Sequence, residues 1–116
     1  MDISKSYFVG ILIIVIGVIL KFYPPKHINN YWGYRTTLSM KCEDTWNEGN
    51  RLCGIMFVIS GIVFTLFSML INYLFNNNLI LAGKISTFGL IIALLISVVY
   101  TEIHLRNLFD KNGVRK

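Results

Sequence analysis

Three long segments of the chain contain almost no charged residues. They cover residues 7–23, 52–75 and 79–100, and the charges collect between them. A helix of a soluble protein carries a polar stripe, whereas these segments are apolar on all sides. The hydrocarbon core of a bilayer, about 30 Å thick, requires roughly 20 apolar residues in a helix. The pattern therefore predicts an all-α protein with three transmembrane helices.

The composition agrees with a small membrane domain. Only 15% of the 116 residues are charged, against about a quarter in soluble domains. We expect a single domain over residues 1–116, with the lipid bilayer as its main surroundings. The run after Lys5 resembles the start of a signal peptide, but Lys21 to Pro25 offers no small-residue cleavage site. We therefore expect the first helix to be retained.

Lysine and arginine residues are distributed unequally between the two sides of the membrane. The N-terminus and the short connection at 76–78 share one side, with Lys5 and Lys84 near it. The loop at 24–51 and the C-terminal tail share the other side. That side has Lys21, Lys26, Arg35, Lys41, Arg51, Arg106, Lys111, Arg115 and Lys116. The positive-inside rule predicts a cytoplasmic loop and C-terminus, with the N-terminus outside. This topology explains the net charge of +5 without any nucleic-acid partner.

The residues do not form a recognisable catalytic or metal-binding pattern. Cys42 and Cys53 are eleven apart, and on the cytoplasmic side we expect reduced thiols. His104 and Glu102 are i, i+2 neighbours, which do not face each other on a helix. Asp44 and Glu48 are spaced to share a helix face, but a hard cation needs more oxygen ligands. We expect no enzyme activity, no metal and no cofactor.

The loop at 24–51 is the only sizeable region outside the predicted membrane spans. Pro24 and Pro25 end the first helix, because proline lacks an N–H group. From Met40 onwards the sequence favours a short cytoplasmic helix that leads into the second span and could run into it without a break. Ser39 is a candidate N-cap, and Glu43 lies in the first turn, where the helix dipole favours negative charge.

Small residues recur along each apolar segment and predict close helix contacts. They are Gly10 and Gly17 in the first, Gly54, Gly61 and Ser68 in the second, and Gly89, Ala93 and Ser97 in the third. The same small-residue faces could also pack two copies of the chain together, so a homo-oligomer remains open.

The aromatic and polar residues of the loop have two interpretations. In the first, Tyr31, Trp32, Tyr34 and Trp46 form an interfacial aromatic belt. In the second, Arg35 is a recognition group, since its planar fork binds carboxylates and phosphates at two points. Its anchors would be Glu43, Asn50 or a lipid phosphate, with Trp46 packing the short helix onto the loop.

The loop resembles a motif of the SdpI family of small bacterial membrane proteins. That motif has a proline, Gly-Tyr-Arg-Thr, a serine, and a tryptophan followed four residues later by asparagine. The matching positions here are Pro25, Gly33, Tyr34, Arg35, Thr36, Ser39, Trp46 and Asn50. With Asn30 and Glu43, these residues (Pro25 apart) are the candidate binding site.

The resemblance implies immunity in a bacterial cell membrane. The family's named member protects its producer against a secreted, membrane-active peptide toxin. It also senses the toxin by sequestering a transcriptional repressor at the membrane. A peptide toxin and a repressor are therefore the expected partners. Two other function classes remain open: a structural or regulatory subunit of a larger membrane complex, and a small transporter or enzyme that would need to oligomerise.

Overall fold

The computed structural model describes residues 3–116, with side chains from residue 5 onwards. Three helices follow one another along the chain: α1 (Ile3–Phe22), α2 (Glu43–Leu74) and α3 (Leu79–Leu108). Each helix is long and apolar enough to cross a membrane. The described residues contain no β-strand beyond one isolated bridge. The predicted all-α fold with three membrane-spanning helices is confirmed, and the chain is a multi-pass membrane protein.

The three helices form an elongated bundle of 54 × 23 × 19 Å in which α2 is central. Helix α2 packs against both α1 and α3, whereas α1 and α3 hardly touch. The outer faces of the bundle carry large apolar side chains that suit lipid contact, among them Phe8, Leu66, Phe88 and Leu95. A shallow gap between α1 and α3 follows from this arrangement.

Glycines bring α1 and α2 into backbone contact. A Cβ atom built on Gly17 would lie 2.6 Å from the carbonyl oxygen of Gly54, and the reverse distance is also 2.6 Å. Further along, Gly61 faces Gly10 in the same way. Lipid offers no hydrophobic drive between helices, so close packing of small residues is what holds such a pair together.

Serines join α2 to α3 inside the bundle. Ser60 Oγ lies 2.5 Å from Ser97 Oγ, and Ser68 donates to Ser86 at 3.4 Å. Gly89 lies against the ring of Phe67. The small-residue faces predicted from the sequence are therefore used for contacts within the chain.

The predicted short helix ahead of the second span was wrong as a separate element. Helix α2 runs without interruption for 32 residues, which corresponds to about 48 Å. No proline lies between Glu43 and Leu74, so nothing blocks the backbone hydrogen bonds. The first nine residues of α2, Glu43 to Arg51, project beyond the apolar segment. We call this part the α2 extension.

The predicted start of this helix, at Met40 with Ser39 as its cap, was also wrong. The helix begins at Glu43 with Cys42 as N-cap. The Cys42 backbone N–H donates to Thr45 Oγ1 at 3.1 Å, and Thr45 Oγ1 donates to the Ser39 carbonyl at 3.0 Å. The Ser39 hydroxyl is engaged in the preceding turn and is not available as a cap.

The short connection between α2 and α3 makes the two helices an antiparallel hairpin. Asn78 caps α3 by accepting a hydrogen bond from the Leu81 N–H at 3.1 Å. At its other end α3 continues two turns beyond the predicted apolar segment, to Leu108. The tail then folds back, because Asp110 N–H donates to the Val114 carbonyl at 2.8 Å.

The buried core lies at the end of the bundle where the loop and the tail meet, which we call the loop end. Its members come from all three helices, the loop and the tail: Leu20, Tyr34, Leu38, Cys53, Leu105 and Phe109. The loop over residues 23–42 is therefore packed as part of the fold.

Candidate binding site at the loop end

The buried amide of Asn50 connects the loop to helix α2. Asn50 Oδ1 accepts a hydrogen bond from the Tyr34 backbone N–H at 2.9 Å, and Nδ2 donates to the Trp46 carbonyl at 2.8 Å. Oδ1 must face a donor and Nδ2 must face an acceptor, so only one of the two orientations of the amide satisfies both hydrogen bonds. Since Asn50 is fully buried, both hydrogen bonds are shielded from competing water.

Trp46 fixes the start of the loop against the same helix. Its indole Nε1 donates to the Pro25 carbonyl at 2.9 Å, and the side chain is fully buried. The structure thus has Trp46 packing α2 onto the loop, as expected from the sequence. The aromatic-belt interpretation fails for Trp46 and Tyr34, which are buried, but fits Tyr31, which is exposed.

Gly33 occupies a position that excludes other residues. Its φ is +107°, a conformation that side chains with a Cβ atom rarely adopt. A Cβ atom there would also lie 2.9 Å from Asn50 Oδ1 and 3.2 Å from the Trp46 ring. The glycine therefore allows the loop to approach α2 closely enough for the Asn50 hydrogen bond.

Tyr34 links the loop to helix α3. Its hydroxyl donates to Glu102 Oε1 at 2.7 Å. Burial, together with this hydrogen bond to the carboxylate, raises the pKa of Tyr34 and keeps the phenol neutral. Sequence reasoning missed Glu102, because it considered Glu102 only against its neighbour His104.

Thr36 and Ser39 close the turn that follows. Thr36 N–H donates to Ser39 Oγ at 2.8 Å, and Ser39 N–H donates to Thr36 Oγ1 at 3.1 Å. The Ser39 hydroxyl also donates to the Tyr34 carbonyl at 2.9 Å. These hydroxyls thus hold the backbone on both sides of Arg35.

Arg35 points outward from this framework. Its guanidinium donates to the Asn30 carbonyl, and the residue is exposed. The expected anchors Glu43 and Asn50 are not its partners: Glu43 is exposed and lies 3.9 Å from His27. Within residues 3–116 no carboxylate lies within ion-pairing distance of Arg35, so its remaining N–H groups face the surroundings.

An apolar groove lies in the gap between α1 and α3, and Arg35 is one of its lining residues. Its volume is about 510 Å³. The walls come from all three helices and the roof from the loop: Ile16, Leu20, Trp32, Gly33, Tyr34, Arg35, Thr36, Cys53, Phe57 and Val98. We call this cavity the groove. Of the predicted site residues, Gly33 to Thr36 line it, while Asn50, Trp46 and Ser39 support its roof.

Further polar contacts join the α2 extension to α3 and the tail. Glu48 accepts hydrogen bonds from Arg51 and lies 3.0 Å from His104 Nε2. Hydrogen bonding from Arg51 lowers the pKa of Glu48. Arg115 in the tail donates twice to the Asp44 carboxylate, at 2.8 Å each. The spacing of Glu48 and Arg51 could have indicated the first pair, but the contacts to His104 and Arg115 require the tertiary structure.

The groove and its supports hold no arrangement typical of a metal site. No group of three or more His, Cys, Asp and Glu residues is placed to hold an ion within the described part of the chain. Cys42 and Cys53 are free thiols. The arrangement is suited to binding an apolar ligand with a polar or anionic end.

Comparison with known proteins assigns the chain to a family. The family model described as the SdpI/YfhL protein family matches residues 26–102, which contain most of the loop, all of α2 and most of α3. The "Uncharacterized protein YfhL" of Bacillus subtilis (strain 168) is 36% identical over 84 residues, covering 70% of this chain and 76% of YfhL. No solved structure matches the chain. The chain therefore belongs to the SdpI/YfhL family of membrane proteins.

Proposed function

We propose that this protein is a membrane immunity protein that binds a secreted, membrane-active peptide toxin within the bilayer. Family membership and the three spans support a role of this kind. The observation that carries the proposal is the groove: an apolar cavity between two membrane helices, roofed by Gly-Tyr-Arg-Thr. The proposal includes a cytoplasmic loop, because the loop and tail carry most of the Lys and Arg residues.

The groove suits an apolar peptide segment for two physical reasons. Ile16, Phe57 and Val98 offer apolar contact in the gap where α1 and α3 do not pack together. Arg35, at the roof, offers a fork that can bind a carboxylate or the carbonyl groups at a helix C-terminus. Binding would remove the toxin from the population that damages the membrane.

The same geometry provides a route for toxin sensing. Tyr34 forms part of the groove and also bonds Asn50 on α2 and Glu102 on α3. A ligand that displaces the Tyr34 ring would break the hydrogen bond from its hydroxyl to Glu102 and alter the loop surface. In the sensing version of the proposal, a cytoplasmic repressor reads that change.

The groove is tested by filling it. In a sensitive bacterium challenged with a panel of membrane-active peptides, the native chain is expected to raise survival. Ile16→Trp is expected to abolish this protection, since the indole would occupy the groove. Ile11→Trp is the matched control, because Ile11 is exposed and lies about 140° away around α1. Equal protection by both variants, at equal membrane levels, would remove the groove from the proposal.

Arg35 is tested separately. Arg35→Ala is expected to lower survival at least tenfold, and Lys26→Ala to leave it unchanged, because Lys26 is an exposed cation outside the groove. Failure of the native chain to protect against any peptide in the panel would remove the support for the immunity proposal as a whole. The better explanation is then a structural or regulatory subunit of a larger membrane complex, which co-purification from membranes would reveal.

A further inference from the structure

A second cavity lies at the loop end, and its lining includes Glu102, the hydrogen-bond partner of Tyr34. Its volume is about 540 Å³. Three separate parts of the chain surround it: the turn at 37–41, the end of α3, and the tail. The lining residues are Thr37, Leu38, Lys41, Glu102, Arg106, Phe109, Asp110, Lys111 and Lys116. We call this cavity the basic pocket.

The charge of the basic pocket is not neutralised within the described chain. Within residues 3–116, Lys41, Lys111 and Lys116 form no ion pair with a carboxylate, and Arg106 has only a 3.7 Å contact to Glu102. These four cationic side chains share the cavity with two side-chain carboxylates, Glu102 and Asp110, and both carboxylates have partners. Glu102 accepts the Tyr34 hydroxyl, while Asp110 Oδ1 accepts the N–H groups of Asn112 and Val114.

The pocket is held in place by the folded tail. Lys116 N–H donates to the Leu108 carbonyl at 3.0 Å. Arg115 binds Asp44 on the α2 extension and stacks over the ring of Phe109. These contacts bring Lys116 back towards α3, so the tail lysines line the same cavity as Lys41.

The position of the pocket matches the headgroup layer of a membrane. The apolar segment of α3 ends near Tyr100, and a rise of 1.5 Å per residue places Arg106 about 9 Å beyond it. Leu38 and Phe109, both buried, supply apolar surface in the same lining as the four cations. A phospholipid offers a phosphate and apolar chains to such a mixed lining.

We propose that the basic pocket binds the phosphate headgroup of an anionic membrane phospholipid. Anionic lipid attracts basic residues near the membrane surface, and basic pockets beside membrane helices bind anionic headgroups. The site is separate from the groove and does not depend on toxin binding. The bound lipid would join the loop, α3 and the tail.

The test uses the full chain in a neutral detergent, titrated with short-chain phosphatidylglycerol, short-chain phosphatidylcholine or inorganic phosphate. Lipid binding is counted by native mass spectrometry, and thermal unfolding is followed in parallel. The pocket variant is Lys111→Gln with Lys116→Gln. The control is Lys21→Gln with Lys26→Gln, which removes the same charge from the same end of the bundle. Lys41→Gln tests the opposite wall of the pocket.

We expect phosphatidylglycerol to bind more tightly than phosphatidylcholine and to raise the unfolding temperature. The tail pair is expected to weaken phosphatidylglycerol binding roughly thirtyfold, as two lost cations predict, and Lys41→Gln to weaken it less. The control pair should change it less than twofold. Equal weakening by both pairs would mean a diffuse basic surface and would overturn the proposal. So would equal affinity for the two lipids, or inorganic phosphate binding as tightly as the lipid.

Discussion

The side-chain amide of Asn50 connects parts of the chain that are far apart in sequence. It bonds the Tyr34 backbone and the Trp46 carbonyl, and Trp46 in turn bonds the Pro25 carbonyl. All three contacts are buried. An unpaired polar group in such a place costs about 1–3 kcal/mol. Asn50 therefore determines the position of the loop, and with it the roof of the groove.

Replacing this amide by an apolar side chain of similar size should release the loop. We expect Asn50→Leu to lower the free energy of unfolding by about 1–3 kcal/mol, because the buried Tyr34 N–H loses its acceptor. The measurement is thermal unfolding in detergent. Asn47→Leu is the control, since Asn47 is exposed on the same helix one turn earlier. Equal stability of the two variants would contradict this role for Asn50.

The helix pairs are held by two different kinds of contact. Between α1 and α2, Gly17 meets backbone atoms of the facing helix at Gly54 and Val58. Between α2 and α3, the atoms nearest to a Cβ built on Gly89 belong to the ring of Phe67. A side chain can rotate to make room, whereas the backbone of a helix cannot move without shifting the whole element. The two interfaces should therefore differ in their tolerance of added volume.

This difference predicts unequal effects of the same substitution. Gly17→Ala is expected to cost about 1–3 kcal/mol through overpacking, because the new Cβ would lie 2.6 Å from the Gly54 carbonyl oxygen. Gly89→Ala should cost less, since Phe67 can turn aside. Unfolding in increasing concentrations of a denaturing detergent would compare them. A larger loss for Gly89→Ala would mean that the α1–α2 contact is looser than described.

The α2 extension carries an acid-sensitive contact outside the apolar segment. Hydrogen bonds from Arg51 hold the pKa of Glu48 below its usual range, and His104 contributes in the same direction. A carboxyl group with a lowered pKa in the folded state stabilises that state above its unfolded pKa, which is about 4.3. That stabilisation is lost as the pH falls through the lowered pKa of Glu48 in the folded state.

The native protein should therefore lose stability on acidification more steeply than Glu48→Gln. The expected window runs from about pH 5 downwards, where the unfolded carboxyl begins to bind protons. Thermal unfolding measured across this range would show the difference. Glu43→Gln serves as the control, because Glu43 is exposed and makes only a 3.9 Å contact with His27. Parallel pH curves for native protein and Glu48→Gln would rule out the contribution.

The orientation of the whole molecule can be tested with its own cysteine. Cys42, at the start of α2, is partly exposed, and a backbone hydrogen bond from Thr45 lowers the pKa of its thiol. A larger thiolate fraction favours alkylation. Cys53 is 2% exposed and should be protected. We expect a membrane-impermeant maleimide to label Cys42 only after the cells are permeabilised.

Asn77→Cys provides the opposite control. Asn77 is exposed in the turn between α2 and α3, at the far end of the bundle from Cys42. With the N-terminus outside, this turn is also outside, so the new cysteine should be labelled in intact cells. Labelling of Cys42 in intact cells, with Asn77→Cys protected, would reverse the proposed orientation.

The sequence by itself determined the number of helices, their approximate bounds and the location of the candidate site. A long apolar segment crosses lipid as an α-helix, because the helix satisfies every backbone hydrogen bond internally. The resemblance of the loop to the SdpI motif selected Gly33, Tyr34, Trp46 and Asn50 by residue type and spacing. Those features are local in sequence, so they are readable without coordinates.

Only the tertiary structure decided which residues meet. Helix α2 begins at Glu43 instead of Met40 because Ser39 is engaged with Thr36. The partner of Tyr34 is Glu102, and the basic pocket needs the tail folded back onto α3. These contacts join positions as many as 71 residues apart, as between Arg115 and Asp44. Their geometry depends on how three helices pack, which no local pattern encodes.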